Sequence, residues 1–200
     1  MVDSVRESYN KICGQWSDFC SSRKVNKCIE DFAELLEPQC KILDVGCGTG
    51  FPIDDYLAKC GFIVTGIDIS EEMIKRAESL NLPKAKFLTE DILNFYPDEQ
   101  YEAIIAFDSL WHIEHDRQED IYKILSSLMI SGGMLLFTHG KEDGEIIGTM
   151  FSEKFYNSAI DGERVKSLLK ESGFEILSFI ENYMEETTGD RDLLVVAKKV

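Results

Sequence analysis

The sequence predicts an α/β fold, an open doubly wound sheet with helices on both faces, in a single domain over residues 1–200. Three observations lead there. Short apolar runs of strand length alternate along the chain with segments of helical spacing, the order produced by parallel strands joined by crossover helices. An early run, "ILDV", passes straight into "GCGTG", and a glycine-rich turn between a first strand and a helix is where such sheets hold ligands. No repeat, low-complexity stretch or linker divides the chain, and its length suffices to bury a full core without disulfides.

The N-terminal stretch reads as helical. "VNKCIEDFAELL" sets Val25, Ile29, Phe32, Ala33 and Leu36 at helical spacing, and Pro38 ends that helix because the residue before proline avoids the helical region. "CKILDV" is the first strand. After the glycines, Pro52 suits a first helical turn and Gly61 a helix end. "FIVTGID" is the second strand, and Ser70 caps the next helix with Glu71 and Glu72 at its positive end. "AKFLTEDI" and "YEAIIAF" are the third and fourth strands, nearly continuous in apolar residues as buried parallel strands are. "DIYKILSSLM" is a helix closed by Gly132-Gly133, and "MLLFTH" the fifth strand. Asp161 caps "GERVKSLLKES", Gly173 ends it, and "FEILSFI" and "LLVVAKK" complete the sheet.

Composition narrows the function. With 44% hydrophobic and 29% charged residues, the chain has the make-up of a soluble globular protein. No apolar run reaches membrane-span length, so no membrane partner is expected. The opening "MVDSVRESYNKICGQW" lacks a signal peptide's basic and apolar segments, which predicts a cytoplasmic protein. Its six cysteines form no C-x-x-C pair and lie far in sequence from the three histidines. They read as reduced, buried thiols, and no metal site is expected. A net charge of −16 opposes binding to phosphate backbones, which argues against nucleic acid as a partner.

The glycines need a physical return, because they cost conformational entropy. At the edge where strand order reverses, bare backbone and a helix N-terminus can face a ligand closely. Asp68 ends the second strand about 20 residues after Gly46, where a carboxylate accepts hydrogen bonds from the hydroxyls of an adenosine ribose. Together they indicate an adenosine-containing cofactor. The pattern is G-x-G-x-G, and Phe51 follows where a dinucleotide fold continues toward its third glycine. A phosphate-binding NTPase loop would need Lys and then Ser or Thr, and neither follows Gly50.

"ILDVGCGTG", "GIDIS", "TEDI" and "FDSLWHI" resemble, in order, the signature segments of class I S-adenosylmethionine-dependent methyltransferases, small-molecule type, methyltransferase type 11/12-like. "LLKESGFEIL" and "DLLVVAKK" are similar to that group's last helix and final strand pair. The resemblance implies a Rossmann-like sheet of seven strands, mostly parallel with one antiparallel near the C-terminus, and S-adenosylmethionine as cofactor. It implies that Asp44, Gly46, Cys47, Gly48 and Gly50 surround the methionine part, that Asp68 holds the ribose, and that Ile69 and Met73 flank the adenine. Asp91, with Ile92, would meet the adenine amino group, and Phe107 and Asp108 the methionine amino group. Ile69, Ile92 and Met73 read equally as core, and Asp91 as a turn residue.

The resemblance also assigns residues 1–37 to an N-terminal helical lid and 140–160 to a substrate-cap insertion. Tyr9 and Trp16 fall in the lid, with Trp16 against the cofactor; Arg23 could meet the cofactor carboxylate, with a surface role the stronger reading. Met150, Phe151, Phe155 and Tyr156 would wall the acceptor pocket, and ordinary packing against the sheet accounts equally well for any one of them. Methyl transfer requires mainly in-line positioning, with a general base only where the acceptor must lose a proton. His112 is the candidate base, and as strong a reading has it bonding loop backbone; His139, past the fifth strand, is a second candidate and His115 a solvated residue. The acidic residues Glu114, Asp116, Glu119, Asp120, Glu185 and Glu186 are expected at the pocket mouth, favouring a small neutral or cationic acceptor. The oligomeric state is left open. Two other readings stand beside methyl transfer to a small-molecule substrate: a non-catalytic S-adenosylmethionine-binding regulatory protein, and a nicotinamide-dependent oxidoreductase.

Overall fold

Strand β1 (Lys41–Val45) is buried at four of its five positions, and its side chains alternate between two cores. Leu43 and Val45 face one, Ile42 the other. Strand β4 (Tyr101–Ala106) divides its side chains likewise, with Ile104 on the first side and Ala103 and Ile105 on the second. A period of two with apolar residues on both faces requires cover on both sides of the sheet. The first side is covered by α5 (Asp120–Leu128) and α6 (Gly162–Glu171), and the second by α2 (Lys27–Ala33) and α3 (Ile53–Lys59).

The computed structural model describes residues 2–185 and 189–200. The remaining strands are β2 (Ile63–Asp68), β3 (Ala85–Thr89), β5 (Met129–His139), β8 (Phe174–Tyr183) and β9 (Arg191–Lys199), and the sheet order is β3-β2-β1-β4-β5-β9-β8. All neighbours pair in parallel except β9, which runs antiparallel to β5 and β8. This is the expected doubly wound sheet of seven strands with one reversed strand near the C-terminus. The chain moves outward from β1 through β2 to β3 and then returns to β4 beside β1, so the strand order reverses between β1 and β4. Their carboxyl ends open a crevice at that point.

The predicted caps form. Ser70 accepts from Met73 N at the start of α4 (Glu71–Ser79), and Asp161 from Glu163 N and Arg164 N at the start of α6. One local expectation changes. Gly132-Gly133 does not close a helix: α5 stops at Leu128, and both glycines lie inside a longer β5, opposite a register shift in β4. "EIIGTMFSEKFYNSA" folds as a ribbon of β6 (Gly144–Met150) and β7 (Glu153–Ala159). Helix α1 (Val2–Cys20) packs on this ribbon through Val5, Ile12, Phe155 and Tyr156, and together they roof the crevice. Among the described residues, no helix is long and apolar enough to cross a membrane.

Candidate active site

The three glycines after β1 serve three different purposes. All have positive φ. A Cβ on Gly46 would lie 2.4 Å from Ser109 Cβ, so glycine there lets the loops after β1 and β4 touch. A Cβ on Gly50 would press on Leu80, Phe87 and Ala77 at 3.2–3.3 Å, beneath α4. Gly50 therefore packs the loop onto the fold and is not among the residues that line the crevice. At Gly48 a Cβ would meet only Trp16 Nε1, 3.6 Å away, and would otherwise project into open space. That space is a cavity of about 400 Å³.

Twelve of the thirteen residues expected to hold the cofactor line this cavity. From the β1 side come Asp44, Gly46, Cys47 and Gly48; from β2 and α4, Asp68, Ile69 and Met73; and beyond β3, Asp91 and Ile92. Phe107 and Asp108 follow β4, and Trp16 reaches down from α1. Arg23, read from sequence as a surface residue, stands in the cavity wall with its guanidinium 3.9 Å over the Phe19 ring.

Asp68 is held from two sides. Gly48 N donates to its Oδ2 at 3.0 Å and Ser70 N to its Oδ1 at 2.8 Å. Burial pushes its carboxyl up to about 6 against these two amides. A carboxylate oxygen accepts about two hydrogen bonds, so each keeps capacity for another donor. Asp44 forms a pair with Asp54 of α3, which is fully buried. The Asp54 carboxyl faces that of Asp44. Burial raises both, Asp44 to about 7, and the neighbouring Asp44 charge raises Asp54 further, so within the pair Asp54 holds a proton more tightly than Asp44. Asp91 accepts from Leu93 N at 3.0 Å and Asn94 Nδ2 at 3.1 Å, which makes it a turn residue as well as a wall residue.

Asp108 lines the cavity with its carboxylate already bonded. Arg191 of β9 grips both its oxygens, and Thr138 donates to Oδ1 at 3.1 Å. Its side chain is therefore engaged within the protein. Five carboxyl groups line the cavity (Asp44, Asp68, Glu90, Asp91, Asp108) against two guanidiniums, Arg23 and Arg191. The acids expected at the mouth do not form the described lining. Glu114, Asp116, Glu119, Asp120 and Glu185 are absent from the lining, with Glu119 paired to Arg164 and Asp120 to Arg117. Glu186 lies outside the described residues.

On the far wall stands His112, in a 3-10 turn (Leu110–His112) after β4. Its Nδ1 lies 2.9 Å from the Tyr156 carbonyl, an acceptor, so Nδ1 carries the ring proton and Nε2 a lone pair. Tyr9 Oη lies 2.8 Å from that Nε2 and Trp111 Nε1 3.3 Å. Burial lowers the His112 pKa and keeps the ring neutral; burial, then the charges of Asp68 and Asp108, raises Tyr9 far above its usual value and keeps it a donor. His139 does not share the site: it is fully buried at the end of β5, outside the lining, bonded to Gln118. His115 pairs with Asp143 at 3.1 Å.

Sequence reasoning missed Arg191, Asp54 and Gln118. Each acts through a partner distant in sequence, and no local spacing marks it.

A family model described as a methyltransferase domain matches residues 42–133. A sterol 24-C-methyltransferase, ERG6B, of Gibberella zeae is 31% identical over 50% of this chain and 27% of its own length. A phosphoethanolamine N-methyltransferase 1 of Zea mays is 29% identical over 86% of this chain and 34% of its own. The chain thus spans about a third or less of these curated relatives. A solved structure of magnesium protoporphyrin IX methyltransferase from Synechocystis, with bound S-adenosylmethionine, shares the fold: TM-score 0.76 over 100% of this chain and 97% of the other, at 20% identity.

Proposed function

We propose that this chain is a class I S-adenosylmethionine-dependent methyltransferase of the type 11/12 group, and that it transfers a methyl group from S-adenosylmethionine to a small-molecule acceptor. One observation carries the proposal: Gly48 leaves the cavity floor bare while its own amide fixes Asp68 beside it. A side chain at Gly48 would fill the space, and Asp68 retains the lone pairs that a ribose diol needs.

The wall fits this cofactor. Its excess of carboxyl groups favours a ligand carrying sulfonium and ammonium charges and opposes the pyrophosphate of a nicotinamide dinucleotide. Ile69, Met73 and Ile92 supply apolar surface for the adenine, and Asp91 has acceptor capacity left for its amino group. Asp44, the more acidic member of its pair with Asp54, faces the methionine part with Cys47 and Gly48. When bound, the cofactor supplies an activated methyl group.

What remains for the protein is mostly orientation, worth about 7–11 kcal/mol when the reacting atoms are held in line. Helix α1 and the β6–β7 ribbon roof the cavity and act as lid and cap, excluding water from it. His112 is the base for an acceptor that must lose a proton. Its Nε2 lone pair takes that proton directly, or takes the Tyr9 proton while Tyr9 Oη receives the acceptor's.

The test is incubation with methyl-labelled S-adenosylmethionine and a panel of amines, phenols, thiols and carboxylates, read by mass spectrometry. Label is expected in at least one small acceptor. For one that loses a proton, His112→Ala should lower kcat by about 10²-fold or more. Cofactor binding with no labelled product from any class would leave a binding protein in place of an enzyme.

A further inference from the structure

Behind the His112 turn lies a fully buried carboxamide, Gln118, which does not line the crevice and plays no part in the chemistry above. Its Nε2 lies 3.0 Å from the Leu110 carbonyl and 3.2 Å from the Ile113 carbonyl, the two that bracket Trp111-His112. It also lies 3.0 Å from Ser158 Oγ of β7, and that hydroxyl donates to Ile113 O at 2.6 Å. Its Oε1 lies 2.9 Å from His139 Nε2 on β5. One side chain thus joins the turn to the sheet and to the ribbon.

The carboxamide has one workable orientation. Reversed, its oxygen would face the carbonyls of Leu110, Ile113 and Ser158, three acceptors with no proton among them. Oε1 therefore faces His139, whose Nε2 carries a proton. His112 is then protonated on Nδ1, and His139 on Nε2. His139 faces a second acceptor, the Gly140 carbonyl 2.7 Å from its Nδ1; burial lowers its pKa, while that carbonyl and then the charge of Asp192 of β9 favour a proton there. A buried polar group left unpaired costs about 1–3 kcal/mol, so this network is held in full or the turn moves.

We infer that Gln118 is the positioning residue of the acceptor side, fixing where the Trp111-His112 turn presents Nε2 to the cavity by binding both carbonyls that bracket it. The inference rests on the reading of His112 as the base, but its structural content can be measured apart from activity.

The experiment is imidazole ¹⁵N NMR of the full chain, whose three histidines are assigned from single substitutions. It compares wild type with Gln118→Met, which keeps the apolar stem, and Gln118→Glu, which presents oxygens to both carbonyls. Wild type should show a protonated Nδ1 for His112 and a protonated Nε2 for His139. In both variants the His112 nitrogens should move toward tautomer-averaged shifts, while affinity for S-adenosylhomocysteine stays within about twofold. With a reactive acceptor, kcat should fall at least about tenfold with little change in cofactor KM. Unchanged His112 shifts in a folded variant would overturn the inference. Should one variant fail to fold, the other decides; should both, Ser158→Ala, which removes one anchor, must move the same His112 shifts or the inference fails. Full transfer by His112→Ala would sink the base reading instead, and the NMR result on Gln118 would still stand.

Discussion

Asp68 concentrates the cofactor assignment in one side chain. Its two oxygens are held by backbone amides, and its remaining acceptor capacity meets the cavity. Two charge-assisted hydrogen bonds to a ribose are worth about 1.5–3 kcal/mol each, so Asp68→Ala should weaken S-adenosylhomocysteine binding by roughly 10²-fold or more. Ribose hydroxyls donate to the ionised form, and burial has raised this carboxyl to about 6. Affinity should therefore be full above pH 7 and fall as pH drops through 6; in Asp68→Ala that component of the pH dependence should vanish. Calorimetry across pH checks both, and unchanged affinity in a folded variant would remove the ribose assignment. Asp68 was legible in the sequence because strand end and spacing are local properties. Arg191, which takes both Asp108 oxygens from β9, was not, because only the sheet order brings their strands close.

Among the elements, the loop after β1 shows how much a repeated residue conceals. Sequence alone gave all three glycines one purpose, and the structure separates contact with Ser109, space for a ligand and packing under α4. Gly48→Val adds a branched side chain at a positive φ, in space bounded only by Trp16. The added methyls should remove the ligand-induced rise in melting temperature more completely than they lower the melting temperature itself. A normal ligand-induced rise in Gly48→Val would show that the loop is not the cradle. The parallel strands were legible because burial on both faces makes them continuous apolar runs. The β6–β7 ribbon was not: β6 leaves Ile146 and Ile147 exposed at 68% and 58%, so no alternating pattern marks it. The early start of β5 was hidden by Gly132-Gly133, which mimics a helix stop.

For the whole molecule, the reversal of strand order between β1 and β4 puts the cavity where parallel sheets bind ligands, and the first motif announced that position. Charge was read less well. The −16 total is real, but five carboxyl groups line the crevice itself, while two of the acids expected at its mouth, Glu119 and Asp120, pair with Arg164 and Arg117. Composition counts charges and cannot say which face carries them. The central claim is that this crevice holds an adenosyl sulfonium cofactor, not a dinucleotide. Calorimetric titration of the wild-type chain with S-adenosylhomocysteine and, separately, with NAD tests it most directly. The account predicts one S-adenosylhomocysteine bound per chain and no heat from NAD; binding of NAD with none of S-adenosylhomocysteine would contradict it.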